Sequence, residues 1–366
     1  MPLLQCIVTG HGRLRVIFTE YDMRFHGLMV VRDEEDIIAQ CLDHLLKWAD
    51  GIYIHDLGST DSTWDIVQDY ARRDKRVIPY RREPLVYNDS LRCVLFDEYR
   101  QGFDAGDWVM KIDADEFYHI EPPVFVRERL SKLESAIYLR WYFFRLTSAE
   151  VADYESGRVN LRADRSRPIE RRRWLYKIPE YAEPRMFRYR RTIRWATSTT
   201  MPHNAGYVAR ECIPIRHYPH RDPLQMAKRY RLRRANVKLK GASPVVHWSL
   251  DDWRKDLLQV DPVTRVAVEQ TGAGEGLSAA AGHTAGELHE WIDGTKLPEF
   301  RGADHLQRWP KRMLQRIVHP LLLPLLDARR EQFDRTFVHA RIPDELTREL
   351  RDAYAAEEAN WRAAST

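Results

Sequence analysis

Asp107-Trp-Val-Met-Lys-Ile-Asp-Ala-Asp-Glu116 decides how this chain is read. A short apolar run of strand length ends on two acids one residue apart. In extended chain, residues i and i+2 point to the same side, so Asp113 and Asp115 are expected to face one site. Two carboxylates held that close repel unless a cation sits between them. A hard divalent ion, Mg or Mn, with oxygen ligands and room for phosphate oxygens suits such a pair. A DxD triplet alone is common; its place at a strand end, after two other acidic strand ends, gives it weight.

Working outward, the preceding sequence alternates apolar runs with helix-period stretches, the pattern of βαβ units and a mostly parallel sheet. Phe25-His-Gly-Leu-Met-Val-Val31 reads as a buried strand and Gly51-Ile-Tyr-Ile-His-Asp56 as a second. Arg76-Val-Ile-Pro-Tyr80 reads as a third, near an edge because proline cannot donate to a ladder. Between them, residues 36–48 place Ile37, Ile38, Cys41, Leu42 and Leu45 on one helical stripe. Residues 62–73 form another helix, with Ser62-x-x-Asp65 resembling a capping box. Residues 91–103 are expected to be helical. The strands end in Arg32-Asp-Glu-Glu35, Asp56-Leu-Gly-Ser-Thr-Asp61 and Asp113-Ala-Asp-Glu116. In open α/β sheets the ligand crevice lies at those carboxyl ends. Gly58 allows close backbone approach there, the helix N-terminus that follows favours an anion, and Asp61 or Ser62 is a natural N-cap.

Past residue 120 the pattern changes. Residues 136–146 are β-rich and aromatic, and 165–194 carry an arginine run that includes Arg171, Arg172, Arg173, Arg185, Arg188, Arg190 and Arg191. The run is read mainly as a solvated, salt-bridged hairpin face. An anionic acceptor site is a rival, and RNA binding is disfavoured by Glu170, Glu180 and Glu183 within it. Residues 223–240, 251–259 and 303–363 read as helical, and 272–286 as a Gly/Ala-rich loop. The expected organisation is an extension over 1–22, a main domain over 23–245 with its nucleotide-binding half near 25–120 and its acceptor half near 121–245, and a mainly helical region over 246–366.

The 366 residues, 44% hydrophobic and 31% charged, exclude collagen-like, disordered and disulfide-scaffold classes. A net charge of +4 demands no nucleic-acid partner. Cys6, Cys41, Cys93 and Cys212 form no CxxC pair and read as free thiols of a reducing cytoplasm. Residues 1–22 contain no signal-peptide apolar core, and the apolar stretch 319–326 is far too short to span a bilayer. A cytoplasmic location is expected. The basic, apolar stretch 308–318 allows at most peripheral membrane contact.

Three segments, in order, carry a resemblance. Met29-Val-Val-Arg-Asp-Glu-Glu-Asp-Ile-Ile38, Asp56-Leu-Gly-Ser-Thr-Asp61 and Trp108-Val-Met-Lys-Ile-Asp-Ala-Asp-Glu-Phe117 resemble the N-terminal motifs of family 2 glycosyltransferases. A weaker echo is Arg216-His-Tyr-Pro-His-Arg221 followed by Gln225 and Lys228. The resemblance implies a GT-A fold: a Rossmann-like, mostly parallel sheet flanked by helices that binds a nucleoside-diphosphate sugar. It implies nucleotide-sugar contacts at Val31, Arg32, Asp33, Glu34, Asp56, Gly58, Asp61 and Asp113. Asp115 would be the direct metal ligand, with Asp113 near the ribose and metal. His217 would complete the metal or diphosphate site, with Arg221 and Lys228 on the diphosphate. Leu57 stands where the family more often has Asn or Asp, which leaves base selectivity open.

The chemistry agrees. Transfer from a nucleotide-sugar needs a leaving diphosphate stabilised by a cation, and Mn or Mg on paired carboxylates supplies that. His203 and His247 compete with His217 as a third ligand. Inversion, usual in the family, requires a carboxylate base; Glu183 and Glu180 are the available candidates, with a structural role as arginine partners equally open. The acceptor, whether saccharide, lipid-linked sugar or small natural product, leaves no readable signal. Trp141, Trp174, Trp195, Trp248 and Trp253 suit either sugar stacking or the core. Two rivals remain. A sugar-phosphate nucleotidyltransferase normally has a Gly-rich basic loop after its first strand, where Arg32-Asp-Glu-Glu35 is acidic and lacks glycine. A non-catalytic nucleotide-sugar-binding module would keep the acids without a base.

Overall fold

A computed structural model describes residues 4–8, 14–18, 23–177, 182–195, 200–202, 204–240, 252–260, 267–268, 289–291 and 341–363. Glu180, His203, His247, Trp248 and the stretches 272–286, 303–340 and 308–318 lie outside them.

Strands β1 (Leu4–Val8) and β2 (Leu14–Phe18) pair antiparallel as a two-stranded sheet of their own. The main sheet begins with β3 (Phe25–Val31), β4 (Gly51–Asp56), β5 (Val77–Arg82) and β6 (Trp108–Ile112). These four run parallel in the order β5-β4-β3-β6, with Pro79 on the outer strand as its missing N–H requires. Chain order reverses between β3 and β6, and a ligand crevice is expected at that switch point.

Alternation along β3 sends Met29 and Val31 to one face and Leu28 to the other, so the sheet is covered on both sides. Helix α1 (Ile38–Leu45) buries Ile38, Cys41, Leu42 and Leu45 on the first face beside Ile37. Burying each large aliphatic contributes about 1.5–3 kcal/mol. Helix α2 (Thr63–Arg73) covers the same face, and α3 (Arg92–Tyr99) packs Cys93, Leu95 and Phe96 on the other. The expected capping box on α2 does not form. Ser62 makes no capping bond; Asp61 takes the role, accepting from the Thr63 amide at 3.0 Å. The shorter Asp61-to-Thr63 reach leaves Ser62 pointing to solvent.

Beyond β6 the sheet turns antiparallel. It adds β7 (Glu116–Tyr118), β8 (Glu134–Phe144), β9 (Leu175–Lys177), β10 (Ala182–Arg188) and β11 (Tyr207–His217). β10 lies between β6 and β8, and β11 runs parallel to β8 while pairing antiparallel with β7. That second pairing brings His217 opposite Glu116, so the late histidine returns to the acidic turn after β6.

Helix α4 (Pro122–Arg129) precedes β8, and α5 (Ser148–Glu155) and α6 (Leu161–Arg165) follow it. A long helix, α7 (Pro223–Lys240), leaves β11 and crosses the carboxyl ends of the parallel strands. Residues 251–259 depart from the helical reading: a single 3-10 turn over Trp253–Asp256 runs into β12 (Gln259–Val260), paired with β13 (Ala267–Val268). Strand β14 (His289–Glu290) adds to the sheet beside β9, and the last helix, α8 (Asp344–Ala363), packs on α7 through Leu350, Tyr354 and Ala235.

The arginine run is only partly a solvated face: Arg171 and Arg191 are exposed and Arg188 and Arg190 half-buried. Arg172, Arg173 and Arg185 are buried, each beside buried or half-buried acids: Asp164 and Asp222, Glu150, and Asp113 with Glu116. A guanidinium can enter a core only with such partners. Of the tryptophans, Trp141, Trp195 and Trp253 are core anchors, while Trp174 stays exposed.

Candidate active site

A cavity of about 210 Å³ opens at the switch point. Val30, Arg32, Asp33 and Glu34 line it from the end of β3, Asp113, Ala114 and Asp115 from the end of β6, and His217 from β11. Tyr87 borders it, and α7 supplies Gln225, Lys228, Arg229, Leu232, Arg233 and Asn236. Four acids there face four permanent cations, Arg32, Lys228, Arg229 and Arg233.

The DxD acids do not continue β6 in extended conformation. The chain turns at Ala114 and Asp115, yet both carboxylates still reach the cavity wall. They are held by different groups. Asp113 binds Arg92 and Arg185, the latter at 2.8 Å. Burial alone would raise its carboxyl; the two guanidinium groups overcome that and hold it well below the usual range. Asp115 Oδ2 lies 2.8 Å from Arg229, 3.4 Å from His217 Nε2 and 3.8 Å from Arg221. Burial there too is outweighed, by His217, Arg229 and Arg221, and the carboxyl is held low.

Asp115 and His217 offer one carboxylate oxygen and one imidazole nitrogen to the same space. Among the described residues no three His, Cys, Asp or Glu side chains converge on one point. The chain's own ligands for Mn or Mg would therefore be these two. The remaining positions would fall to phosphate oxygens and water, the ligand balance such ions take with diphosphates. The donor set fits the ion in that form, with Asp113 turned aside toward its arginines.

Arg221 does not line the cavity. It is fully buried, and its guanidinium donates to Asp36, Glu34 and the Tyr218 carbonyl. One charge serves two acids unequally: burial raises both, but Arg221 holds Asp36 low while Glu34 is left pushed up to about 8. Arg221 thus ties α7's entry to the end of β3, and the cations that α7 turns to the cavity are Lys228, Arg229 and Arg233. Lys228 Nζ sits 3.5 Å from Glu35. Arg229, Arg233 and Asn236 carry no strand-type motif. Their only trace in sequence is the spacing from Gln225 (one face at i, i+4, i+8 and i+11), visible once the helix is known to cross the cavity.

The second motif builds the turn rather than the wall. Asp56 is fully buried, and its Oδ1 accepts from the Gly58 and Ser59 amides at 2.8 and 2.7 Å. Gly58 has φ +80°, and a Cβ there would lie 2.8 Å from Pro84 Cα; only glycine fits. Asp61 accepts from Thr63 and Glu35 amides, and burial, with Asp33 and Glu35 nearby, pushes its carboxyl up to about 7. Val31 is buried within β3. Arg32 and Asp33 are different. All three guanidinium nitrogens of Arg32 and Asp33 Oδ2 are buried without a hydrogen-bond partner, and Arg32 Nε and Asp33 Oδ2 form a 3.5 Å ion pair with each other. Asp33 is held at φ +54° by bonds from Thr60 to its other oxygen. Backbone strain of this kind costs on the order of 1–3 kcal/mol and is over-determined by its surroundings.

Glu183 lies on β10, outside the cavity lining, 3.4 Å from Lys111 and 3.2 Å from Arg185. Arg185 also binds Asp113 and Glu116, so Glu183 stands one guanidinium away from the DxD turn.

Parallel strands with acids gathered at their switch point, crossed by a basic helix, give this α/β fold a charged crevice at its carboxyl ends. Residues 28–85 match the family model for glycosyl transferase family 2. The match runs from β3 through the Asp56 turn to Leu85. No curated protein sequence matches the chain. Among solved structures, the mannosyltransferase PcManGT from Pyrobaculum calidifontis in complex with GDP-Man and Mn2+ is similar at 13% identity, with a TM-score of 0.30. The alignment covers 94% of this chain and 84% of that one.

Proposed function

We propose that this protein moves a glycosyl group, with inversion, from a nucleoside-diphosphate sugar bound in the switch-point cavity to an acceptor. The observation that carries the reading is the meeting of Asp115, His217 and the cationic face of α7 in one cavity at the carboxyl ends of β3 and β6. With Glu34 pushed up to about 8, three ionised acids face four cations there, and that surplus of one positive charge falls short of a diphosphate's negative charge. A divalent ion, Mn or Mg, on Asp115 and His217 would supply the missing charge and stabilise the leaving diphosphate. Arg229 and Arg233 would hold the phosphates by charge-assisted hydrogen bonds. Arg32 and Asp33, which make only a 3.5 Å ion pair with each other through these atoms, offer donors and an acceptor to the nucleoside. Glu183 is assigned the acceptor's proton, which requires an acceptor that reaches past the cavity lining and draws it from Lys111 and Arg185, and Asp113 orients Arg92 and Arg185 beneath the turn.

The test is a panel of UDP-, GDP- and TDP-sugars with Mn or Mg, followed by turnover or slow hydrolysis. At least one donor should be consumed in a metal-dependent way. Asp115→Asn should abolish turnover and nucleotide binding together, whereas Glu183→Gln should lower kcat at least a hundredfold and leave binding intact. Binding without turnover of any donor would favour a non-catalytic module. Pyrophosphate release from a nucleoside triphosphate would favour a nucleotidyltransferase.

A further inference from the structure

Asp115 already has a cation. Arg229 reaches it from α7 with one hydrogen bond, Nη1 to Oδ2 at 2.8 Å. That is the oxygen which also stands 3.4 Å from His217 Nε2, so a divalent ion shared by Asp115 and His217 would compete with the guanidinium for it. The contrast with Arg221 is instructive. Arg221 is fully enclosed and bonded to Asp36, Glu34 and the Tyr218 carbonyl, which fixes it. Arg229 has Asp115 as its partner among the described residues and keeps 22% of its side chain exposed in the cavity. Arg233, one helical turn further along the same face, borders the same space, so an Arg229 released from Asp115 turns toward a second cation. Two guanidinium groups so placed repel unless an anion lies between them.

We infer that Arg229 is an exchangeable cation on Asp115: a divalent ion displaces it, and the freed guanidinium passes to the donor's diphosphate. This rests on the donor-site reading above and deepens it. Before ligand arrives, Arg229 compensates the buried carboxylate and keeps the ion out. An ion on the same carboxylate repels the guanidinium already bonded to it, so ion binding without a diphosphate weakens the Arg229 contact with no anion to receive the freed charge. With a diphosphate present, the expelled guanidinium gains a better partner, and each ligand favours the other. Such coupling is reciprocal.

The test is Mn2+ binding to the full chain, measured by electron paramagnetic resonance of the free ion, without nucleotide and with saturating UDP or GDP. In the wild type, the nucleoside diphosphate that binds should tighten Mn2+ at least tenfold, and Mn2+ should tighten that diphosphate by the same factor. Arg229→Gln and Arg229→Met should bind Mn2+ about tenfold tighter than the wild type without nucleotide, and their coupling factor should shrink. Equal Mn2+ affinity in the wild type with and without the diphosphate overturns the inference and needs no variant to fold. So does unchanged nucleotide-free Mn2+ affinity in variants with native circular dichroism. If UDP and GDP bind in an Mn2+-dependent way while the variants behave as wild type, the exchange fails and the donor-site reading survives. If neither nucleotide binds at all, the donor-site reading falls and takes the exchange with it.

Discussion

Single side chains in this protein are placed by charge as much as by shape. His55 is the exception. It follows the apolar core of β4, is 2% exposed, and neither ring nitrogen has a hydrogen-bond partner. Burial lowers its pKa to about 4, with Glu83 working weakly against. An unfolded histidine titrates near 6.5, so between about pH 4 and 6.5 the unfolded chain binds the extra proton. Stability therefore rises with pH across that window and is lost as pH falls through it. His44 and His220, lowered by burial to about 3, act with the same sign. His55→Phe keeps the edge-on packing against Tyr80 and removes two orphaned nitrogens. Its urea midpoint should match or exceed the wild type at pH 7. Its stability should fall less steeply toward pH 5, by about 1.4 kcal/mol per pH unit for the one proton removed. A slope equal to the wild type's would show that His55 does not drive the acid loss.

At the scale of elements, Arg185 joins the antiparallel half of the sheet to the acidic turn. From β10 it bonds Asp113 and Glu116, accompanies Glu183, and lies 5.2 Å over the ring of Trp141. Trp141 in turn donates to Glu116 at 2.7 Å. Removing the guanidinium would leave the buried Glu116 without its cation and Asp113 with Arg92 alone, a loss of about 3–5 kcal/mol. Arg185→Met should show that loss in urea unfolding, and Arg185→Met with Glu116→Gln should recover part of it by removing the stranded charge. A single variant within about 1 kcal/mol of wild type would mean that Arg92 alone secures the turn. The β4–α2 turn is fixed differently, by a backbone need: Gly58 at positive φ, with Asp56 closing the amides behind it.

Over the whole molecule, the cavity's far wall depends on a helix nearly two hundred residues from the β3 motif, backed by another at the chain's other end. Helix α8 holds α7 through Leu350 and Tyr354, through the Tyr354 hydroxyl donating to the Lys228 carbonyl at 3.2 Å, and through Arg231 with Glu357. None of the α8 side chains lines the cavity. Tyr354→Ala should nevertheless weaken UDP or GDP binding severalfold by isothermal titration, because the cations on α7 lose their backing. It should also cost about 3–5 kcal/mol of stability, as truncation of a buried aromatic does. Unchanged nucleotide affinity in that variant would show that α7 is positioned from the sheet side alone. Among the described residues, no helix is long and apolar enough to cross a membrane.

Local chemistry was legible in the residues alone. The strands Phe25–Val31 and Gly51–Asp56, the α1 stripe, the edge proline in β5 and the acids at the strand ends depend on period and turn chemistry that neighbouring residues set. The return of His217 to the DxD turn was expected from its motif, and β11 pairing with β7 is what achieves it. Other assignments turned on contacts that no local pattern encodes. Arg221 and Arg229 stand eight residues apart with the same side chain, yet one is locked between Glu34 and Asp36 and the other faces the cavity on Asp115. Arg172, Arg173 and Arg185 looked like surface charges and are buried among acids from distant elements. A guanidinium is stable in either setting, and its partner decides which; partners of that kind meet only when the sheet and α7 have folded together.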